Sequence, residues 1–155
     1  MEQLTVASKL FKYNCIDAYI HKYKKYYLIC SNTKNKVLQK LRKIKLNKLG
    51  FKIGIEIEPG IIDETTKIYH QNLVINSYAK IGKNVSFHGN NCIGNNGKTL
   101  EAPIIGDNVD IGFGALIIGG VKIANNITIG AGAVVVDSFE EEGITIAGVP
   151  ARKVK

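Results

Sequence analysis

The sequence predicts a mainly β protein, a prism of stacked short strands preceded by a short basic helical segment. Three observations predict it. An aliphatic or aromatic residue recurs every sixth position from Ile75 to Val135. Glycine is confined almost wholly to the later part, with Gly50 alone in residues 1–52 and the other fifteen from Gly54 onward. Charge divides at the same place: residues 1–52 carry a net +11, residues 53–155 a net −3. The chain therefore reads as a basic helical segment, 1–52, and a turn-rich β segment, 53–155.

In the first segment Leu10, Phe11, Cys15, Ile16, Tyr19 and Ile20 recur at helical spacing. Val37, Leu38, Leu41, Ile44 and, one position late, Leu46 predict a second helix. Ser31, Asn32 and Asn35 mark the break, with Ser31 or Thr33 as the expected cap. Lys34, Lys36, Lys40, Arg42, Lys43, Lys45 and Lys48 read first as a solvated face. Their functional alternative is attraction to a polyanion, such as an anionic membrane surface. Nucleic acid is not expected, because no aromatic-interleaved or helix-turn-helix pattern accompanies the charge.

In the second segment the six-residue slots are Ile75, Ile81, Phe87, Ile93, Thr99, Ile105, Ile111, Ile117, Ile123, Ile129 and Val135. Thr99 alone fails, inside the polar stretch 95–102. Four positions after the slots come small or β-branched side chains: Ala79, Val85, Val109, Ala115, Val121, Ile127 and Ala133. A period of six fits neither a helix nor a simple strand. It fits a short strand and a tight corner repeated on three faces, about 18 residues per coil. Asn84, Asn90, Asn95, Asn96, Asn108, Asn125 and Asn126 are the expected corner residues, since asparagine tolerates positive φ.

Composition excludes several classes. With 155 residues and 45% hydrophobic content the chain is one ordinary domain in size, and its mean hydropathy of +0.01 fits neither disorder nor a membrane-embedded protein. The apolar run Tyr26–Cys30 is far short of the roughly 20 residues of a membrane span. No charged-then-apolar leader pattern follows Met1, so a cytoplasmic protein is expected. Cys15, Cys30 and Cys92 lack metal spacing and read as reduced thiols.

The hexads resemble those of the left-handed parallel β-helix acetyltransferases, and most of all the serine acetyltransferase branch. Ala147-Gly148-Val149-Pro150-Ala151-Arg152 resembles that branch's closing "AGVPAR" run. Ile55-Glu56-Ile57-Glu58-Pro59-Gly60 resembles its "(D/E)IHP" coil, and Ile68-Tyr69-His70 the stretch around its catalytic histidine. The resemblance covers roughly residues 54–154 and implies an acetyl-CoA-dependent O-acetyltransferase that works as a homotrimer, with no metal. His70 is then the general base, since imidazole titrates where a hydroxyl needs a proton acceptor. Glu56 is its expected orienter, although the interval between the two is one position shorter than the family spacing. His88, one full coil after His70 by the hexad count, is expected to stack with it on one edge as an acceptor contact. Asn96, Gly97, Ala115, Ala133, Arg152 and Lys153 match the family's acetyl-CoA positions, and the amides of the Gly-rich corner 94–97 are candidate oxyanion donors, since glycine permits close approach.

Glu101-Ala102-Pro103 stands where many members have Arg-His-Pro, and a shorter basic segment replaces the family's helical domain. Both departures favour a sugar or surface-polysaccharide precursor as acceptor over L-serine. Two other functions fit a prism of this kind. One is a zinc hydratase similar to carbonic anhydrase, suggested by His70 and His88 but lacking a third prism histidine. The other is a non-catalytic scaffold.

Overall fold

The structure, a computed structural model, describes residues 15–155. Leu10 and Phe11 and the side chain of Cys15 lie outside the described residues. Helix α1 is Cys15–Ser31 and helix α2 is Lys36–Ile53. The cap of α2 is Asn35, not Ser31 or Thr33; its side-chain oxygen accepts from the Leu38 amide at 3.0 Å. The helix ends at Gly54, whose left-handed φ of 65° turns the chain directly into the first strand.

The strands form three faces. The first contains β1 (Ile55–Ile57), β3 (Leu73–Ile75), β6 (Asn91–Gly94), β9 (Leu116–Ile118) and β12 (Val134–Val135). The second contains β4 (Lys80–Ile81), β7 (Ile104–Ile105) and β10 (Lys122–Ile123). The third contains β2 (Lys67–Ile68), β5 (Ser86–Phe87), β8 (Asp110–Ile111), β11 (Thr128–Ile129), β13 (Thr145–Gly148) and β14 (Ala151–Lys153). Neighbouring strands are parallel, except that β14 folds back antiparallel on β13 and closes the last coil. On the first face Ile55 sits against Leu73, Leu73 against Asn91 and Leu116 against Val134, each a step of three hexads as predicted.

The six-residue slots fill the interior. Phe87, Ile93, Ile111, Ile117 and Val135 are wholly buried, and so are Val85, Val109, Ala115, Ile127 and Ala133 at the positions four further on. Each aliphatic rung contributes about 1.5–3 kcal/mol of burial. The failed slot has a simple cause. Lys80 pairs with Ile104 and Cys92 with Leu116, steps of four hexads instead of three, so one whole hexad leaves the wall as a loop between β6 and β7. Thr99 belongs to that loop.

Corner asparagines appear much as predicted. Asn84, Asn90, Asn108 and Asn126 adopt positive φ, joined by Asn72, whereas Asn95, Asn96 and Asn125 do not. Along one edge the Asn84 amide donates to Asn108 at 3.1 Å and the Asn108 amide to Asn126 at 3.0 Å. Gly112 is required for a different reason: a Cβ there would lie 2.6 Å from the Ala131 nitrogen of the next coil.

The helices pack on the first coil. Tyr23, Tyr27 and Cys30 of α1 and Leu46, Leu49 and Ile53 of α2 are buried together with Ile55, Ile57 and Ile62. Val37, Leu38, Leu41 and Ile44, which helical spacing grouped with Leu46, are exposed instead. The Tyr27 hydroxyl joins α1 to the loop after β1: it donates to the Glu58 carbonyl at 2.9 Å and accepts from the amides of Ile61 and Ile62 at 2.8 and 3.0 Å. Burial pushes this phenol's pKa up, so it stays protonated and keeps its donor.

Candidate active site

His70 lies in the turn between β2 and β3, where the chain passes from the third face to the first. The coil is irregular there. The step from Ile68 to its partner Phe87 is one position longer than the step from Leu73 to its partner Asn91. The extra residue moves His70 out of line with His88. His70 lies over Gly89, where an added Cβ would meet the His70 Cβ at 2.6 Å. It is Tyr69 that stacks on His88, with ring centroids 4.8 Å apart. The expected His70–His88 stack is therefore corrected by one position of register.

Two cavities meet at His70. One, of about 580 Å³, is walled by Asp17, Ile20, His21 and Lys24 of α1 and by Lys67, Ile68, Tyr69, His70 and His88 of the prism. The other, of about 200 Å³, is lined by Ile16, His70, Gln71, Asn72, Asn90 and Phe113. Of their lining residues only His70 is shared. The Phe113 ring meets the imidazole edge-on at 6.4 Å, and among the described residues no hydrogen bond fixes the His70 ring. That leaves both ring nitrogens available to a ligand.

Glu56 is not brought to His70. It faces outward on β1 and lines a separate cavity of about 840 Å³ with Tyr23, Lys43, Asn76 and Cys92. The carboxylate that shares a cavity with His70 is Asp17, and the histidine one helical turn later on the same face is His21. Sequence reasoning passed over both. Their signal was available: Asp17 is one of only two acids in the first 52 residues, and Asp17, Ile20, His21 and Lys24 follow one helical stripe.

His88 has a carboxylate of its own. Its Nε2 lies 2.9 Å from the Asp110 carboxylate, one coil further on the third face. With the proton on Nε2, the ring donates to Asp110 and leaves Nδ1 as an acceptor. Lys24 is held differently, its ammonium donating to the carbonyls of Glu64 and Thr66. Burial is the main cause of its lowered pKa.

The predicted nucleotide-side residues separate into two groups. Ala115 and Ala133 are wholly buried rungs of the core, so as single subunits they offer no surface to a ligand. Asn96 and Gly97 are exposed in the ejected loop, where the Asn96 side chain accepts from the amides of Lys98 and Thr99 at 2.9 and 3.0 Å. The Gly97 amide is already engaged, donating to Asn95 at 3.3 Å. Arg152 and Lys153 are exposed on β14 but paired, with Asp137 at 2.9 Å and Glu141 at 2.6 Å. Such solvent-exposed pairs are weak enough to exchange for a phosphate. Among the described residues no group of three His, Cys, Asp or Glu side chains is placed to hold a metal ion.

No protein-family model matches the chain. Serine acetyltransferase of Staphylococcus aureus strain Mu50 is 39% identical over 109 residues, 68% of this chain and 51% of that protein. A serine acetyltransferase solved in complex with cysteine matches with a TM-score of 0.69 and 27% identity, over 86% of this chain and 56% of the other. One solved in complex with CoA matches at 0.68 and 26%, over 88% and 57%. In sequence and in fold this chain is similar to serine acetyltransferases. Its prism is the left-handed parallel β-helix of the hexapeptide-repeat serine acetyltransferases. The chain spans about half the length of the curated relatives it matches, 51% of the first.

Proposed function

We propose that this chain transfers an acetyl group from acetyl-CoA to a hydroxyl, with His70 as general base. The observation that carries the proposal is the position of His70 where the two cavities meet beneath α1. The imidazole takes the hydroxyl proton while the oxygen attacks the thioester carbonyl. Collapse of the tetrahedral intermediate expels the CoA thiolate, which recovers that proton from the imidazolium. Relatives solved with CoA support the donor. Asn96, Gly97, Arg152 and Lys153 are the matching residues that remain accessible to it.

The acceptor we favour is a hydroxyl amino acid of the serine class. The larger cavity holds both signs of charge, Asp17 for an ammonium and Lys67 for a carboxylate, as a zwitterion requires. A gonococcal serine acetyltransferase solved in complex with serine agrees with this class, at 27% identity. A sugar hydroxyl is the second reading, favoured by Glu101 and Ala102 in place of a basic pair. Mass analysis of products from acetyl-CoA with serine, amino sugars and nucleotide sugars separates them. Acetylated serine is expected; an acetylated sugar alone would assign the acceptor to the second reading.

The site is completed by a neighbour. Outward positions on the first face are Glu56, Val74, Cys92, Leu116 and Val134, an apolar ladder beneath one acid. The third face points Lys67, Ser86, Asp110 and Thr128 outward. A homotrimer packed through the first faces covers that ladder, and the loop 95–103, which leaves this face after β6, is the segment we assign to the neighbour's site. Light scattering at micromolar concentration is expected to give a trimer, and Val74→Glu with Leu116→Glu an inactive folded monomer. A fully active monomeric wild type would contradict the shared site. Free Cys30 and Cys92 fit a cytoplasmic setting for this reaction.

A further inference from the structure

Helix α2 has two apolar faces. One, Leu46, Leu49 and Ile53, is buried against the first coil. The other consists of Val37, Leu41, Ile44 and Phe51, at 73, 60, 52 and 91% exposure. These four follow the spacing i, i+4, i+7, i+14 and so form one outward stripe. Lys36, Lys40, Lys45, Lys48 and Lys52 are exposed around it, and the helix contains no acid. Among the described residues the one ion pair made by a cation of this helix is Lys43–Glu58, on the side toward the prism. Lys45 and Lys52 are braced over the rings of Tyr26 and Tyr19, at 4.7 and 5.6 Å.

We infer that this face of α2 docks on an anionic phospholipid surface, which goes beyond acetyl transfer. Charge complementarity selects the occupant. A second copy meeting the same face would set one +11 segment against another. The stripe lies on a convex helix with cations on both flanks, so no partner groove is outlined. A lipid surface takes up both features: apolar side chains enter the acyl boundary while lysine stems lie along it and hold their ammonium groups at the phosphates. Among the described residues no helix is long and apolar enough to cross a membrane, so this contact is peripheral.

Co-sedimentation of the full chain with vesicles tests the inference without reference to acetyl transfer. Binding is expected to equimolar phosphatidylcholine–phosphatidylglycerol vesicles, to weaken with salt, and to be lost on pure phosphatidylcholine. Lys36→Gln, Lys40→Gln and Lys48→Gln together are expected to weaken it on the order of a hundredfold, at about fivefold per lysine. Val37→Ser with Phe51→Ser, at unchanged charge, is expected to weaken it about tenfold or more. Melting curves matching wild type confirm that the variants fold. Failure to bind phosphatidylglycerol vesicles at low salt would overturn the inference. So would full binding by the serine variant, or preference for poly-glutamate over the vesicles, which points to an acidic protein partner.

Discussion

Replacing His70 with alanine is expected to lower acetyl transfer by about 10²–10⁴-fold, the usual weight of a general base. The fold should be unaffected. Alanine keeps the Cβ that lies over Gly89 and removes only the imidazole. Acetyl-CoA affinity should stay near wild type, because the loss is of proton transfer rather than of donor contacts. His88→Ala is the discriminating companion. His88 carries the carboxylate partner, Asp110, and lines the same cavity as His70. As an acceptor contact its loss should raise the acceptor KM and leave kcat within about tenfold. A profile with kcat abolished by His88→Ala and retained by His70→Ala would make the His88–Asp110 pair the base.

The second large effect is expected from Tyr27→Phe. The hydroxyl accepts from two backbone amides and donates to one carbonyl, so its removal strands three groups. The Ile62 amide is buried, and the net cost is about 2–4 kcal/mol. For a chain of this size that corresponds to a fall in Tm of roughly 5–15 °C. A functional consequence follows from where α1 sits. Tyr27 fastens the helix whose other end supplies Asp17 and His21 to the His70 cavity. Acceptor KM should rise in the folded variant at low temperature. An unchanged Tm would show that water replaces the hydroxyl at this junction.

The prism was legible because its period is enforced by geometry. Each slot from Ile75 to Val135 must point inward for the faces to close, and the exception, Thr99, is a hexad leaving the wall. The helical segment was legible only in part. Leu46 and Val37 share a helical pattern, yet one is core and the other exposed, because α2 has an apolar stripe on each side and periodicity alone cannot say which one the prism covers.

The site was harder to read for a related reason. His70 is proposed from its motif, and its neighbours depend on register. A single extra residue in the turn before β3 puts Tyr69, not His70, over His88. Glu56 has a suitable motif and the wrong face, while Asp17 has no motif and reaches the cavity only because α1 folds back on the first coil. Ala115 and Ala133 satisfy two patterns at once, a core rung and a family ligand position, and burial decides for the first.

The decisive measurement for acetyl transfer is release of free thiol from acetyl-CoA by the wild-type protein, with and without a hydroxyl acceptor. Release is expected to depend on the acceptor and to yield an O-acetyl product. No release above background from the folded protein with serine, amino sugars, nucleotide sugars or oligosaccharides would contradict it.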